Sequence, residues 1–130
     1  MSYENIVELD DTTWEATVEK GDKPVVVMFY SDTCPYCKQI EPYFFEYAND
    51  FKGKIVFARI NIVNSLTIPS RYGVMGTLTF KFFCKSRPVY ELVGAMDSAL
   101  LKKAIVENLE HGEKCVKNAT WLAPDLTSYA

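Results

Sequence analysis

Two cysteines separated by two residues, Cys34-Pro35-Tyr36-Cys37, are the side chains here best suited to covalent chemistry. That spacing lets both sulfurs share one helical turn, close enough to bond. The pair follows a β-branched run and precedes a helical pattern, which puts Cys34 at or beside a helix N-cap. Unpaired backbone N–H groups and the helix dipole at such a position stabilise a thiolate and lower its pKa. Pro35 suits the first helical position, where its missing donor would be unpaired anyway. Lys38 adds a positive charge nearby, and Asp32 partly opposes it. Cys34 is the expected attacking thiolate. Cys37, one turn deeper, is the expected resolving thiol that breaks the mixed disulfide.

The elements that must position this pair follow from hydrophobic periodicity. Asn5 to Leu9 alternates weakly and reads as a strand. Thr12 with Glu15 three residues on fits a capping box that opens a helix to about Lys20, stopped by Gly21-Asp22. Pro24 to Tyr30 is an apolar run without alternation, which suits a strand buried on both faces. The helix after Cys34 carries Ile40, Tyr43, Phe44 and Tyr47, with Pro42 expected to kink it. Lys54 to Ile62 is a third strand, and Ile68 to Tyr72 a short helix. Leu78 to Phe83 and Pro88 to Val93 form an antiparallel pair around Cys84-Lys85-Ser86-Arg87. Asp97 caps a last helix with Leu100, Leu101, Ala104, Ile105, Asn108 and Leu109 on one face. The order βαβαβαββα implies an α/β fold with a central mixed sheet and helices on both faces. A domain over 1–110 is followed by a C-terminal extension, 111–130, where the periodicity breaks after Gly112.

Composition narrows the function classes. The chain has 130 residues, 48% hydrophobic and 14% aromatic, enough for one cored domain. Its net charge of −3 argues against a nucleic-acid footprint and against a polybasic membrane anchor. The longest apolar run, Val25 to Tyr30, is far below the ~20 residues a membrane span needs. With Glu4, Glu8, Asp10 and Asp11 and neither a basic n-region nor an apolar h-region in the first eleven residues, no secretory signal is expected. Four cysteines are too few for a disulfide-built scaffold, so a reducing, cytoplasmic setting is the expectation.

At these residues the chain resembles the thioredoxin family over roughly 3–110. The resemblance rests on Cys34-Pro35-Tyr36-Cys37-Lys38, on Pro42, on Tyr72-Gly73-Val74-Met75-Gly76-Thr77 and on Val93-Gly94-Ala95. The two residues between the cysteines are the glutaredoxin-type pair. The resemblance implies a thioredoxin-like fold and a thiol–disulfide oxidoreductase serving cell redox homeostasis and electron transport. It implies protein disulfide substrates, a reductase or small thiol as electron donor, a monomer, and no organic cofactor. It makes Tyr36, Met75, Thr77 and Leu78 the substrate-binding surface. The chain departs from the family pattern in four places. Thr33 stands where the family has Trp, and Met28 replaces the buried Asp that takes the proton of the buried cysteine. Arg59 replaces a Lys, and Leu78 replaces the cis-proline. A cis bond before a non-proline costs about 2.5–4 kcal/mol, so Thr77–Leu78 is expected trans. Leu78 is then expected to offer the groove an apolar wall.

Two other functions fit the same residues. A redox-inactive module could hold a peptide around Tyr36, Met75 and Leu78. A metal or Fe–S cluster could be shared between two chains through Cys34 and Cys37 of each. A four-thiolate zinc site within one chain is disfavoured, because Cys84 and Cys115 are 31 residues apart and form no second close pair. Cys84 reads as a partly buried structural cysteine and Cys115 as incidental or as a third redox thiol. His111, the single histidine, reads as a positive group near a helix C-terminus.

Overall fold

The computed structural model describes residues 5–21 and 23–117, with side chains as far as residue 110. Five strands form one sheet: β1 (Ile6–Leu9), β2 (Val25–Tyr30), β3 (Val56–Asn61), β4 (Thr79–Cys84) and β5 (Arg87–Val93). Their spatial order is β1-β3-β2-β4-β5. β3 runs parallel to β1 and β2, whereas β4 is antiparallel to β2 and β5. Three helices accompany them: α1 (Pro35–Asp50), α2 (Thr67–Arg71) and α3 (Ser98–Lys117). The expected mixed sheet and element order are present.

β2 is central because every one of its six residues can be buried. Its side chains alternate between two cores, as the period of a strand requires. Val26, Met28 and Tyr30 face the first, with Phe44 of α1 and Leu101 and Ile105 of α3. Val25, Val27 and Phe29 face the second, with Trp14, Val18 and Ile68. Trp14 is almost completely buried and meets Phe83 edge-on, with its indole N–H donating to the Tyr72 hydroxyl at 3.3 Å. α1 continues unbroken through Pro42. β4 and β5 turn on Lys85 and Ser86, both at positive φ, which is the backbone of a tight two-residue hairpin.

Three local expectations give way. The first helical segment is a single π turn, Glu15–Glu19, in which the Lys20 N–H reaches the Glu15 carbonyl at 2.9 Å. Its entrance is organised by Asp10 and not by a Thr12–Glu15 box. Asp10 Oδ1 accepts the Thr12 and Thr13 N–H groups at 2.8 and 2.9 Å, and the Thr12 hydroxyl at 2.6 Å. Asp10 offers a carboxylate to both amides, which outcompetes a threonine hydroxyl. Gly21 follows this segment where a larger residue would not fit, since a Cβ there would lie 2.6 Å from the Thr17 carbonyl oxygen. Finally, α3 runs to Lys117, past Gly112, after which the periodicity was expected to break. The side chains of His111 and Cys115, and the remainder of the extension, lie outside the described residues.

Candidate active site

α1 starts where β2 ends, after the loop Ser31-Asp32-Thr33. Cys34 is its N-cap, with extended backbone, and Pro35 occupies the first turn. Cys34 Sγ accepts the Cys37 backbone N–H at 3.1 Å. A first-turn amide is thus directed at this sulfur, as at an N-cap acceptor. Cys34 and Cys37 form a disulfide across Cα atoms 5.2 Å apart. Both residues are buried, at 5% and 2% exposure, in the first core cluster. Lys38, next along α1, is exposed.

The other expected site residues divide between surface and core. Tyr36 is half exposed and Met75 almost wholly exposed, while Thr77 is intermediate. Leu78 is not a groove wall: its side chain is 1% exposed and belongs to the cluster that holds both cysteines. The Thr77–Leu78 peptide bond is cis, contrary to the expectation from local preference. Tertiary contacts decide it. The Leu78 carbonyl accepts the Gly94 N–H at 2.8 Å, and Gly94 makes that approach at φ +91°. The Thr79 hydroxyl donates to the Gly76 carbonyl at 3.0 Å, fixing the other side of the bond.

Beneath the pair, Met28 fills the floor with an apolar thioether and is fully buried. Ionisable groups gather one strand over. Arg59 is the register neighbour of Met28 on β3. Its Nε donates to Glu8 Oε1 of β1 at 2.5 Å, and its Nη1 to Glu41 Oε2 of α1 at 3.3 Å. The guanidinium lies 4.6 Å from the Tyr30 ring centroid and 5.7 Å from that of Phe45, within cation–π range. The Tyr30 hydroxyl donates to Glu8 Oε2 at 2.7 Å. Burial, together with the hydrogen bond to Glu8, raises the Tyr30 phenol above its ordinary value. Burial pulls the Arg59 pKa down, but the Glu8 hydrogen bond and the charges of Glu8 and Glu41 outweigh it, and the net shift is upward. Tyr30 thus stays a donor and Arg59 a cation. Sequence reasoning singled out Arg59 but missed Glu8, Tyr30 and Glu41 as its partners. The spacing of Cys37 and Glu41, four apart on one helix, was the available signal for one of them.

A cleft of about 450 Å³, lined by residues including Arg71, Tyr72, Lys81 and Tyr90, contains neither cysteine. Among the described residues, no three His, Cys, Asp or Glu side chains converge as a metal site. Among them too, no helix is long and apolar enough to cross a membrane.

A mixed five-stranded sheet with a vicinal cysteine pair capping the helix after its central strand defines a thiol–disulfide class of fold. The chain belongs to the thioredoxin family, whose family model, Thioredoxin, matches residues 5–107. It is 36% identical over 102 residues to a chloroplastic thioredoxin M-type of Brassica napus, covering 78% of this chain and 58% of that protein. It is 33% identical over 106 residues to a thioredoxin of Pseudomonas aeruginosa, covering 82% of this chain and 98% of that one. A third relative, the chloroplastic thioredoxin M4 of Arabidopsis thaliana, is 33% identical over 97 residues, covering 75% of this chain and 50% of its own. The chain thus spans only about half the length of these two chloroplastic relatives.

Proposed function

We propose that this chain is a thiol–disulfide oxidoreductase acting on protein disulfides. The observation that carries the reading is the Cys34–Cys37 disulfide at the N-terminus of α1, with the first-turn amide of Cys37 directed at Cys34 Sγ. The Cys34 thiolate attacks one sulfur of a substrate disulfide. A mixed disulfide forms and the other substrate sulfur leaves as a thiolate. Cys37, as thiolate, then attacks Cys34 Sγ, forming the Cys34–Cys37 bond and releasing the second substrate sulfur. Two electrons pass from the protein dithiol to the substrate, which takes up two protons. A reductase or small thiol restores the dithiol.

Pro35 and Lys38 tune the first thiol, and Pro35-Tyr36 make the pair glutaredoxin-like. Tyr36 and Met75 offer exposed contact area to an incoming chain, with Thr77 beside them and Leu78 backing the cysteines from the core. No organic cofactor is needed, since the sulfurs carry the electrons. We place the protein in the cytoplasm as a monomer that carries electrons in redox homeostasis. Insulin reduction with dithiothreitol as electron source tests the reading. The intact protein is expected to accelerate precipitation of the insulin B chain, and Cys34→Ser to lose that acceleration. Equal rates would return the peptide-binding alternative.

A further inference from the structure

We infer that Glu41 accepts the proton of Cys37 when the mixed disulfide is resolved, with Arg59 holding it in place. The inference rests on the exchange chemistry proposed above. Cys37 must become a thiolate before it can attack Cys34 Sγ, because the thiol is a poor nucleophile. It is 2% exposed among apolar side chains, and such burial disfavours the charged form. Met28, the strand residue in that cluster beside Arg59, has no atom that takes up a proton.

Glu41 lies four residues beyond Cys37, one turn along the same face of α1. Side chains at that spacing have Cβ atoms about 5–6 Å apart. Helical side chains also lean toward the N-terminus, so Glu41 covers the turn that contains Cys37. Its contact with Arg59 on β3 shows that it turns inward to the sheet. The other carboxylates of α1, Glu46 and Asp50, are exposed and further along.

The neighbouring hydrogen bonds single out this carboxylate. Among the described residues, Glu8, from β1, and Glu41 both engage the guanidinium of Arg59. Glu8 engages both oxygens, one with Arg59 and one with the Tyr30 hydroxyl from β2. Glu41 meets Arg59 through Oε2 at the longer distance of 3.3 Å. Glu41 is therefore the member that takes the proton. The step balances: the Cys37 Sγ–H bond breaks, the proton passes to the carboxylate, and the freed thiolate displaces the substrate sulfur from Cys34. Asp32, exposed in the loop before α1, is the competing carboxylate.

Rapid mixing of the reduced protein with 5,5′-dithiobis(2-nitrobenzoate) separates the two steps. Attack by Cys34 releases one thionitrobenzoate, and resolution by Cys37 releases the second. A Cys37→Ser variant identifies the second phase by its loss. Glu41→Gln keeps the shape and is expected to leave the first phase unchanged. It should slow the second by about a hundredfold or more near pH 7, the usual range for a lost general base. The gap should narrow as pH rises, because hydroxide increasingly takes over removal of the Cys37 proton. Three results overturn the inference: a second phase equal to wild type at every pH, both phases slowed by one common factor, or a second phase slowed by Asp32→Asn instead. Absence of the first phase in the wild type would instead overturn the exchange reading itself.

Discussion

The backbone N–H of Cys37 points at Cys34 Sγ from 3.1 Å, so the sulfur that opens α1 is also the acceptor of its first turn. A thiolate there completes the cap of a helix with partial positive charge at its entrance. The expected consequence is a Cys34 thiol that ionises more readily in the folded protein than in the unfolded chain. In the reduced protein, the rate of Cys34 alkylation is expected to reach its half-maximum below pH ~8.5, the value of a free cysteine. The same measurement in urea should move the midpoint up to that value. An unchanged midpoint on unfolding would remove the helix entrance as its cause.

Asp10 makes a prediction about acid stability. The Thr12 hydroxyl and the Thr13 and Thr12 amides donate to its carboxylate, and they lower its pKa below the ordinary value. A carboxyl depressed in the folded state contributes stability above its unfolded pKa. That contribution is lost as pH falls through the folded value, below about pH 3.9. Asp10→Asn should therefore flatten the fall of urea stability with acid in that window. A slope identical to wild type between about pH 4 and pH 2 would contradict the assignment.

Asp11 caps a helix far away in sequence. Its Oδ2 accepts the Thr67 N–H at 3.2 Å and its Oδ1 the Ile68 N–H at 3.0 Å, tying the segment before the π turn to α2. Asp11→Ala is expected to cost about 1 kcal/mol, in the range of roughly 0.5–2 kcal/mol for a lost cap. Urea unfolding measures this directly. Hydrogen exchange at Thr67 and Ile68 should rise more than in β2, because the loss is local.

Much of the fold could be read from the linear order of residues. The β-branched run Val25–Tyr30 announced a strand covered on both faces, and it is the centre of the sheet. The loop-to-helix position of Cys34-Pro35-Tyr36-Cys37 placed the sulfurs at a helix entrance, where they lie. Asp97 was legible as a cap, and its Oδ1 takes the Leu100 N–H at 2.8 Å. The misreadings came from competition between neighbours. Asp10 displaced the Thr12 box because two amides and a hydroxyl converge on one carboxylate oxygen.

What the sequence by itself determined is the local chemistry: two cysteines one turn apart, a proline between them at the first helical position, and apolar runs of strand and helix period. These follow from bonding within a few residues, which order along the chain encodes directly. Tertiary structure alone decided the surroundings of the pair. Glu8, Tyr30, Glu41 and Arg59 come from four elements, and they meet only because β1 and β2 flank β3 while α1 lies across it. The cis form of Thr77–Leu78 and the burial of Leu78 belong to the same category. Both depend on contacts with Gly94 and the first core, distant in sequence, and those contacts override local preference.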